Sequence, residues 1–252
     1  MFSRLLSRPL ASLLSVCWLS LAAHAEPLKL RIALDSAWAP PQVVLDNGEP
    51  VGGLYYELLL QIARNVNATP EWLQLPRKRL PQALEQGLID LWCHTNPSWQ
   101  ERSYPPERWS SLFLRQENVI IHAPQHAHAP FKLDQGEHRS IGTVLGFRYP
   151  LLEPYFQRGQ YRRIDSPSQQ ALLRFTQSGQ LHLSVVNRLI VDEFNRQQAP
   201  QQRVPIVQTL DIRDTYCLLS SNPQVPAEQL KQAIRQLATQ APPILLRYGA
   251  PN

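Results

Sequence analysis

ALEQGLIDL, residues 83–91, and FTQSGQLHL, residues 175–183, share one layout. Each runs from the end of a helical segment through a glycine and two residues to a polar residue, Asp90 or His182, and on into an apolar strand. Gly87 and Gly179 stand where a helix should stop, because glycine takes the left-handed closing turn without a Cβ penalty. The stretches are too short to establish a sequence repeat. They are what two similarly built α/β units would each carry.

Around the first stretch, Leu28, Leu30, Ile32 and Leu34 alternate as in a strand. Leu54, Leu58, Ile62 and Val66 follow at helical spacing after Gly52-Gly53. A strand over Trp72–Leu75, a helix over Pro81–Gln86 and a buried strand over Leu88–His94 complete a β-α-β-α-β order, which implies a largely parallel sheet. Asn118–His122 reads as another strand, before a polar loop over 123–139. Around the second stretch, Ile141–Leu145 is a strand. Ser166-Pro167 caps a helix over Gln169–Gln177. Leu181–Val186 is a strand and Leu189–Asn195 a helix. Pro200–Arg213 reads as a connection, Thr215–Ser220 as a strand and Pro226–Thr239 as a helix. The layout predicts two α/β lobes with two chain crossings between them and no single continuous sheet. Ligands in open α/β sheets meet the carboxyl ends of strands, here His94–Pro97 and Val186–Arg188.

The chain opens with Arg4 and Arg8, an apolar run from Leu10 to Ala22, and Ala23-His24-Ala25. These are the basic, apolar and small-residue parts of a secretory leader, expected over residues 1–25. Cys17 is not read as a lipidation site, because Trp18, Leu19 and Leu21 continue the apolar run past it. Removing Arg4 and Arg8 takes the formal net charge from +5 to +3. The basic residues are scattered, so nucleic acid and membrane-surface partners are not expected. Cys93 and Cys217 remain, too few for a disulfide scaffold, and no cysteine spacing suits a metal. His122, His126 and His128 fall in the polar loop, where an exposed surface outweighs adventitious metal binding.

Several segments in order resemble the bacterial extracellular solute-binding proteins of family 3, the periplasmic receptors of polar-amino-acid ABC transporters. LRIALDSAWAPPQVV is similar to the family's first strand and its aromatic-Pro segment, and GEPVGGLYYELLLQIARNV to the glycine lead-in to its first helix. LPQALEQGLIDLWCHTNPSWQER is similar to its helix-Gly-x-x-Asp-strand segment, with twelve positions from Asp90 to Arg102 as in the family. IGTVLGFRY, SGQLHLSVVN and ILLRYG are similar to later segments. The resemblance implies a type II periplasmic-binding-protein fold, two α/β lobes joined by a two-stranded hinge that close like a Venus flytrap. It divides the chain into a leader (1–25), the first part of lobe 1 (26–114), hinge strands with lobe 2 (115–215), and a return segment of lobe 1 (216–252). It sets the strand that returns after the second crossing beside the one carrying Cys93. Whether Cys93 and Cys217 then bond or remain free thiols stays open.

For function, the resemblance implies an exported monomer that takes an amino acid or organic anion to an ABC permease or a membrane sensor, with no cofactor and no metal. Arg102 matches the arginine that holds the ligand's carboxylate, with a surface pair to Glu101 or Glu107 as the competing reading. Thr95 matches a backbone position beside that carboxylate. Trp38 matches a stacking aromatic, and Asp35 ends the first strand. The family's second aromatic wall falls near Arg77-Lys78-Arg79, where a solvated basic turn competes with a charged cleft wall. Gly146, Phe147 and Arg148 stand in a ligand-facing loop. His182 stands where an aspartate would meet the ligand's ammonium, so an anionic ligand, or one uncharged at its second pole, is expected. An enzyme on this fold, dehydratase-like and using Glu57, Asp90 or His182 as acid–base parts, is the second class. A degenerate receptor that binds nothing is the third.

Overall fold

The computed structural model describes residues 28–126, 131–135 and 139–250. The expected leader and His128 lie outside them. The first lobe begins with β1 (Lys29–Asp35), a hairpin of β2 (Val44–Asp46) and β3 (Glu49–Gly52), α1 (Leu54–Asn65) and β4 (Thr69–Leu75). A tight 3₁₀ turn at Arg77–Arg79 leads into α2 (Leu80–Glu85) and β5 (Leu91–Thr95). The long strand β6 (Trp109–His122) carries the chain out. The second lobe holds β7 (Arg139–Val144), α3 (Glu153–Gln157), β8 (Tyr161–Ser166), α4 (Gln169–Gln177), β9 (Leu183–Asn187) and α5 (Arg188–Arg196). A second long strand, β10 (Ile206–Leu219), returns to α6 (Ala227–Gln240) and α7 (Pro242–Tyr248). Among the described residues no helix is long and apolar enough to cross a membrane.

One ladder runs through both lobes, in the order β4-β1-β5-β10-β6-β9-β7-β8. The expectation of separate sheets is corrected. Two 14-residue strands, β6 and β10, pair antiparallel from Ile206↔Ile121 to Leu218↔Trp109 and belong to both lobes. Four register shifts interrupt that pairing. Bulges of this kind bend a strand and increase its twist, so the shared ribbon curls. Most of Pro200–Arg213, read as a connection, is the first half of β10.

The lobes have separate cores. In the first, Leu30, Ile32, Leu58, Ile62 and Leu91 pack with Leu230 and Ile234 of α6. On the other sheet face Trp92 packs with Leu80, Leu84, Ile89 and Leu218. In the second, Val119 and Ile121 pack with Val144, Leu172, Val186 and Ile190, while Ile120 joins Ile141, Leu152, Tyr161 and Leu183 on the opposite face. The alternation of 119, 120 and 121 is the period-two pleat of a strand buried on both sides. Ala37 and Ala39, from the loop after β1, pack into the second lobe's core.

Local chemistry explains the elements that position the cleft. Gly53 precedes α1 at φ 105°, and a Cβ there would lie 2.6 Å from the Gln42 carbonyl oxygen, so only glycine fits. The cap of α4 is Ser168, whose hydroxyl accepts from the Ala171 N–H, and not the expected Ser166. Asp90 is fully buried and accepts from the Arg31 and Gln224 backbone N–H groups at 2.9 and 3.0 Å, which ties β5 to β1 and to the segment before α6. Cys93 of β5 and Cys217 of β10 are joined by a disulfide across 124 residues of chain.

Candidate functional site

A cleft lies between the lobes, walled by the carboxyl ends of their parallel strands and floored by the hinge. Asp35 ends β1, Arg77 follows β4, and His94 and Thr95 end β5. Gln116 and Asn118 come from the middle of β6. Phe147, Arg148 and Tyr149 follow β7, Gln169 begins α4, and Val185 and Asn187 end β9. With Trp38 and Trp99 these residues, other than Asp35 and Thr95 behind Arg77, enclose a cavity of about 30 Å³, room for roughly one or two water molecules.

The lobes touch across it. Arg148 donates to the Gln100 carbonyl oxygen at 3.0 Å. The Gln169 side chain donates to Gln42 Oε1, and its backbone N–H to the Ala37 carbonyl oxygen, both at 3.5 Å. Gly146 sits against the other lobe, its absent Cβ 3.0 Å from Lys78 Cγ.

Arg77 is the charged centre of this wall. Its side chain is 9% exposed, and its partner carboxylate, Asp35, is fully buried. Nη1 lies 3.4 Å from Asp35 Oδ2, and Nη2 lies 3.4 Å from Thr95 Oγ1. The guanidinium carbon stands 4.8 Å from the Trp92 ring centroid, 5.2 Å from Phe147 and 5.9 Å from Trp99, a cation–π slot drawn from both lobes. Burial lowers the Arg77 pKa, and the Asp35 charge opposes that shift. Burial raises the Asp35 pKa, opposed by Arg77 and by the Ala37 N–H that donates to its Oδ1 at 3.0 Å.

His94 is held neutral. Burial, and then the Arg77 charge, push its pKa down to about 3. Nε2 and the Tyr55 hydroxyl are hydrogen-bonded at 2.9 Å, and Nδ1 lies 3.3 Å from Thr215 Oγ1. His94 also takes φ 56°, the left-handed region, inside an otherwise extended segment. Strained backbone of that kind gathers at functional sites. Trp38, 9% exposed, has a buried Nε1–H with no acceptor.

Of the residues singled out from sequence, Asp35, Trp38, Arg77, Thr95, Phe147 and Arg148 gather at the cleft. The basic turn splits, with Arg77 turned inward and Lys78 and Arg79 exposed. Arg102 is corrected. It lies outside the enclosed cavity, on an open outer groove shared with Gly146 and Arg148. Its side chain is 53% exposed, pairs with Glu85 at 2.8 Å and stacks 4.7 Å from Tyr104. The partner is neither Glu101 nor Glu107. Gly146 meets Lys78 rather than the cavity.

His182 is also corrected. It precedes β9 and is exposed, 4.9 Å from the ring of His126. The end of that strand that meets the cavity is the other one, where Asn187 lines it. His122, expected on an exposed loop, is buried at the end of β6. No group of three metal-ligating side chains is placed to hold an ion among the described residues. His94, Trp99, Gln116, Asn118, Gln169 and Asn187 were not singled out. Two of them, His94 and Asn187, fall inside the strand ends that the sequence marks as ligand-facing.

No protein-family model and no curated protein sequence matches the chain. Solved structures do. An ancestral arginine-binding protein bound to arginine superposes with TM-score 0.72 at 16% identity, covering 88% of this chain and 98% of that one. The GluR0 ligand-binding core from Nostoc punctiforme, in complex with L-glutamate, gives 0.65 at 16% identity over 89% and 100%. An ancestral amino-acid-binding protein, a precursor of cyclohexadienyl dehydratase, gives 0.68 at 13% over 88% and 95%. The chain has the type II periplasmic-binding-protein fold. In that fold's terms, β6 and β10 are the two hinge strands and the Arg77 cavity is the interlobe cleft.

Proposed function

We propose that this is an exported receptor that captures a small polar, carboxylate-bearing solute between its lobes and delivers it to an ABC permease or reports it to a membrane sensor. The observation that carries the reading is Arg77, a guanidinium buried in an aromatic slot at the strand ends, with only long contacts to its own protein. An arginine fork suits a carboxylate. Amino-acid-binding proteins among the structural neighbours support a solute-binding role. The leader expected over residues 1–25 supports export to the periplasm. Asp35, Trp38, Arg77, Thr95, Phe147 and Arg148 form the proposed site, and Gly146 and Arg102 line its outer mouth.

The reading is of a binding protein rather than an enzyme. The three acid–base candidates lie apart. Glu57 is bound to Tyr248 and Arg247, Asp90 is tied to backbone N–H groups, and His182 is on the far end of lobe 2. Closure turns on the middle of the hinge strands, near Arg115–Asn118 and Asp211–Tyr216, a stretch that ladder shifts flank at Thr209/Asp211 and Thr215/Tyr216. A ligand gripped by both lobes stabilises the closed form by its differential affinity. Thermal unfolding and small-angle scattering across a panel of amino acids and organic acids test this. The expected result is a saturable rise in Tm with a smaller radius of gyration. A panel that moves neither quantity contradicts the reading.

A further inference from the structure

Resting on the reading of the cleft as the ligand site, we infer that its ligand is a compact carboxylate anion without an ammonium group, anchored by Arg77 and by the Trp38 indole N–H. Donors are in surplus at the cavity. Arg77 carries five N–H groups, and its two hydrogen bonds, to Asp35 and Thr95, are both 3.4 Å long, beyond the usual range for N–H···O. The Trp38 Nε1–H is buried without an acceptor, a state that native interiors seldom leave unanswered. A carboxylate supplies what both lack, with lone pairs enough for a guanidinium fork and a further donor.

Carboxylates for an ammonium are lacking. No Asp or Glu lines the cavity, and Asp35, fully buried behind it, faces the Arg77 charge and accepts from the Ala37 N–H. Asp192 does not line the Arg77 cavity. It lies on the opposite opening of the cleft, beside Arg115, Glu117 and Arg188. Asn187, at the lobe-2 strand end, offers a neutral carboxamide whose Nδ2 donates to Gln116 Oε1 at 3.3 Å. Both His94 nitrogens are engaged. The aromatic faces that could receive a cation are no substitute, because Trp99 and Phe147 already face the Arg77 guanidinium. Around the cavity itself, Arg77 and Arg148 outweigh Asp35 by one positive charge. An unpaired ammonium in a closed cleft is penalised by desolvation and by these arginines. With Phe147, Arg148 and Tyr149 in place the cavity holds only about 30 Å³, so a ligand enters with the lobes apart, and a compact one asks for the smallest opening.

Isothermal titration with three matched pairs tests the inference: L-lactate against L-alanine, L-malate against L-aspartate, and 2-oxoglutarate against L-glutamate. In at least one pair the amine-free acid should bind at least tenfold more tightly. Arg77→Lys, which keeps charge but loses the fork, should weaken it tenfold or more. Trp38→Phe keeps an aromatic side chain but removes the N–H donor and part of the indole, so it should weaken binding at least threefold. Trp38→Phe also decides the matter if Arg77→Lys does not fold. An amino acid that binds as tightly as its amine-free partner overturns the inference and leaves the receptor reading standing. Unchanged affinity in the folded variants overturns the assigned anchor. Binding by none of the six, with no contraction in scattering, overturns both.

Discussion

Arg77 and Arg102 are both first-lobe arginines near the cleft, and they are opposites in physical setting. Arg77 is nearly buried, shares a fully buried carboxylate and lies among three aromatic rings. Arg102 is half exposed, pairs with the partly exposed Glu85 and stacks on Tyr104. A charge in water is weakly coupled to its surroundings, and a charge withdrawn from water is strongly coupled. Spacing along the chain located Arg102 correctly relative to Asp90 but carried no information about which arginine the fold would withdraw from solvent. The difference teaches that burial and the aromatic slot, not the motif, set which arginine is withdrawn from water at this cleft.

The largest effect should follow from removing the buried member. Arg77→Met leaves the Asp35 charge uncompensated in the interior and should cost about 3–5 kcal/mol in urea unfolding. Adding Asp35→Asn should recover part of that loss. A single-variant cost below about 1 kcal/mol would break the comparison, because Arg77 would then be behaving like a surface residue.

A smaller effect belongs to His94, which faces the same charge. Its folded pKa is depressed to about 3 from a usual value near 6.5. As pH falls below about 6.5 the unfolded chain takes up a proton that the folded protein refuses. Stability contributed by this group is therefore full above that pH and is lost on acidification, at up to about 1.4 kcal/mol per pH unit. Unfolding measured from pH 7 to pH 4.5 should show that slope reduced by about this amount in His94→Asn, since asparagine tolerates the left-handed backbone. An unchanged slope would mean that His94 takes up its proton over the same pH range in the folded protein as in the unfolded chain.

Much of this was legible in the sequence, and the losses have physical causes. The α4 boundaries, Gln169–Gln177, follow from the glycine stop at Gly179 and the polar start before it. The shared strand β10 was half hidden, because Ile206–Arg213 mixes Gln, Thr, Asp and Arg on a ribbon that is largely solvated until Thr215. Strand β8, Tyr161–Ser166, escaped notice because it lies at the sheet edge and carries Arg162, Arg163 and Asp165 among its six residues. At the site, the rule of strand carboxyl ends pointed to the segments that hold His94 and Asn187, but residue choice within them failed. The resemblance points to His182 as the match to an ammonium-binding aspartate, and it precedes β9, at the end away from the cavity. Trp38 follows from the resemblance, as the match to a stacking aromatic, while Phe147 and Arg148, bulky for a ligand-facing loop, must either fill the cleft or face away. Here Phe147 and Arg148 fill it.

The smallest effect should come from the exposed member. Arg102→Ala should change unfolding free energy by no more than about 0.5 kcal/mol. It should also leave the affinity for any acid found to bind within a factor of two. A tenfold loss of affinity would return the anchor to Arg102 and require Glu85 to release it on binding.

Native mass spectrometry of the protein purified from the cells that make it, comparing the unaltered chain with Arg77→Lys and Arg102→Ala, tests the central claim most directly. The account predicts one retained small acid on the unaltered chain and on Arg102→Ala, absent or much depleted on folded Arg77→Lys. A small molecule retained on Arg77→Lys and lost from Arg102→Ala would contradict it.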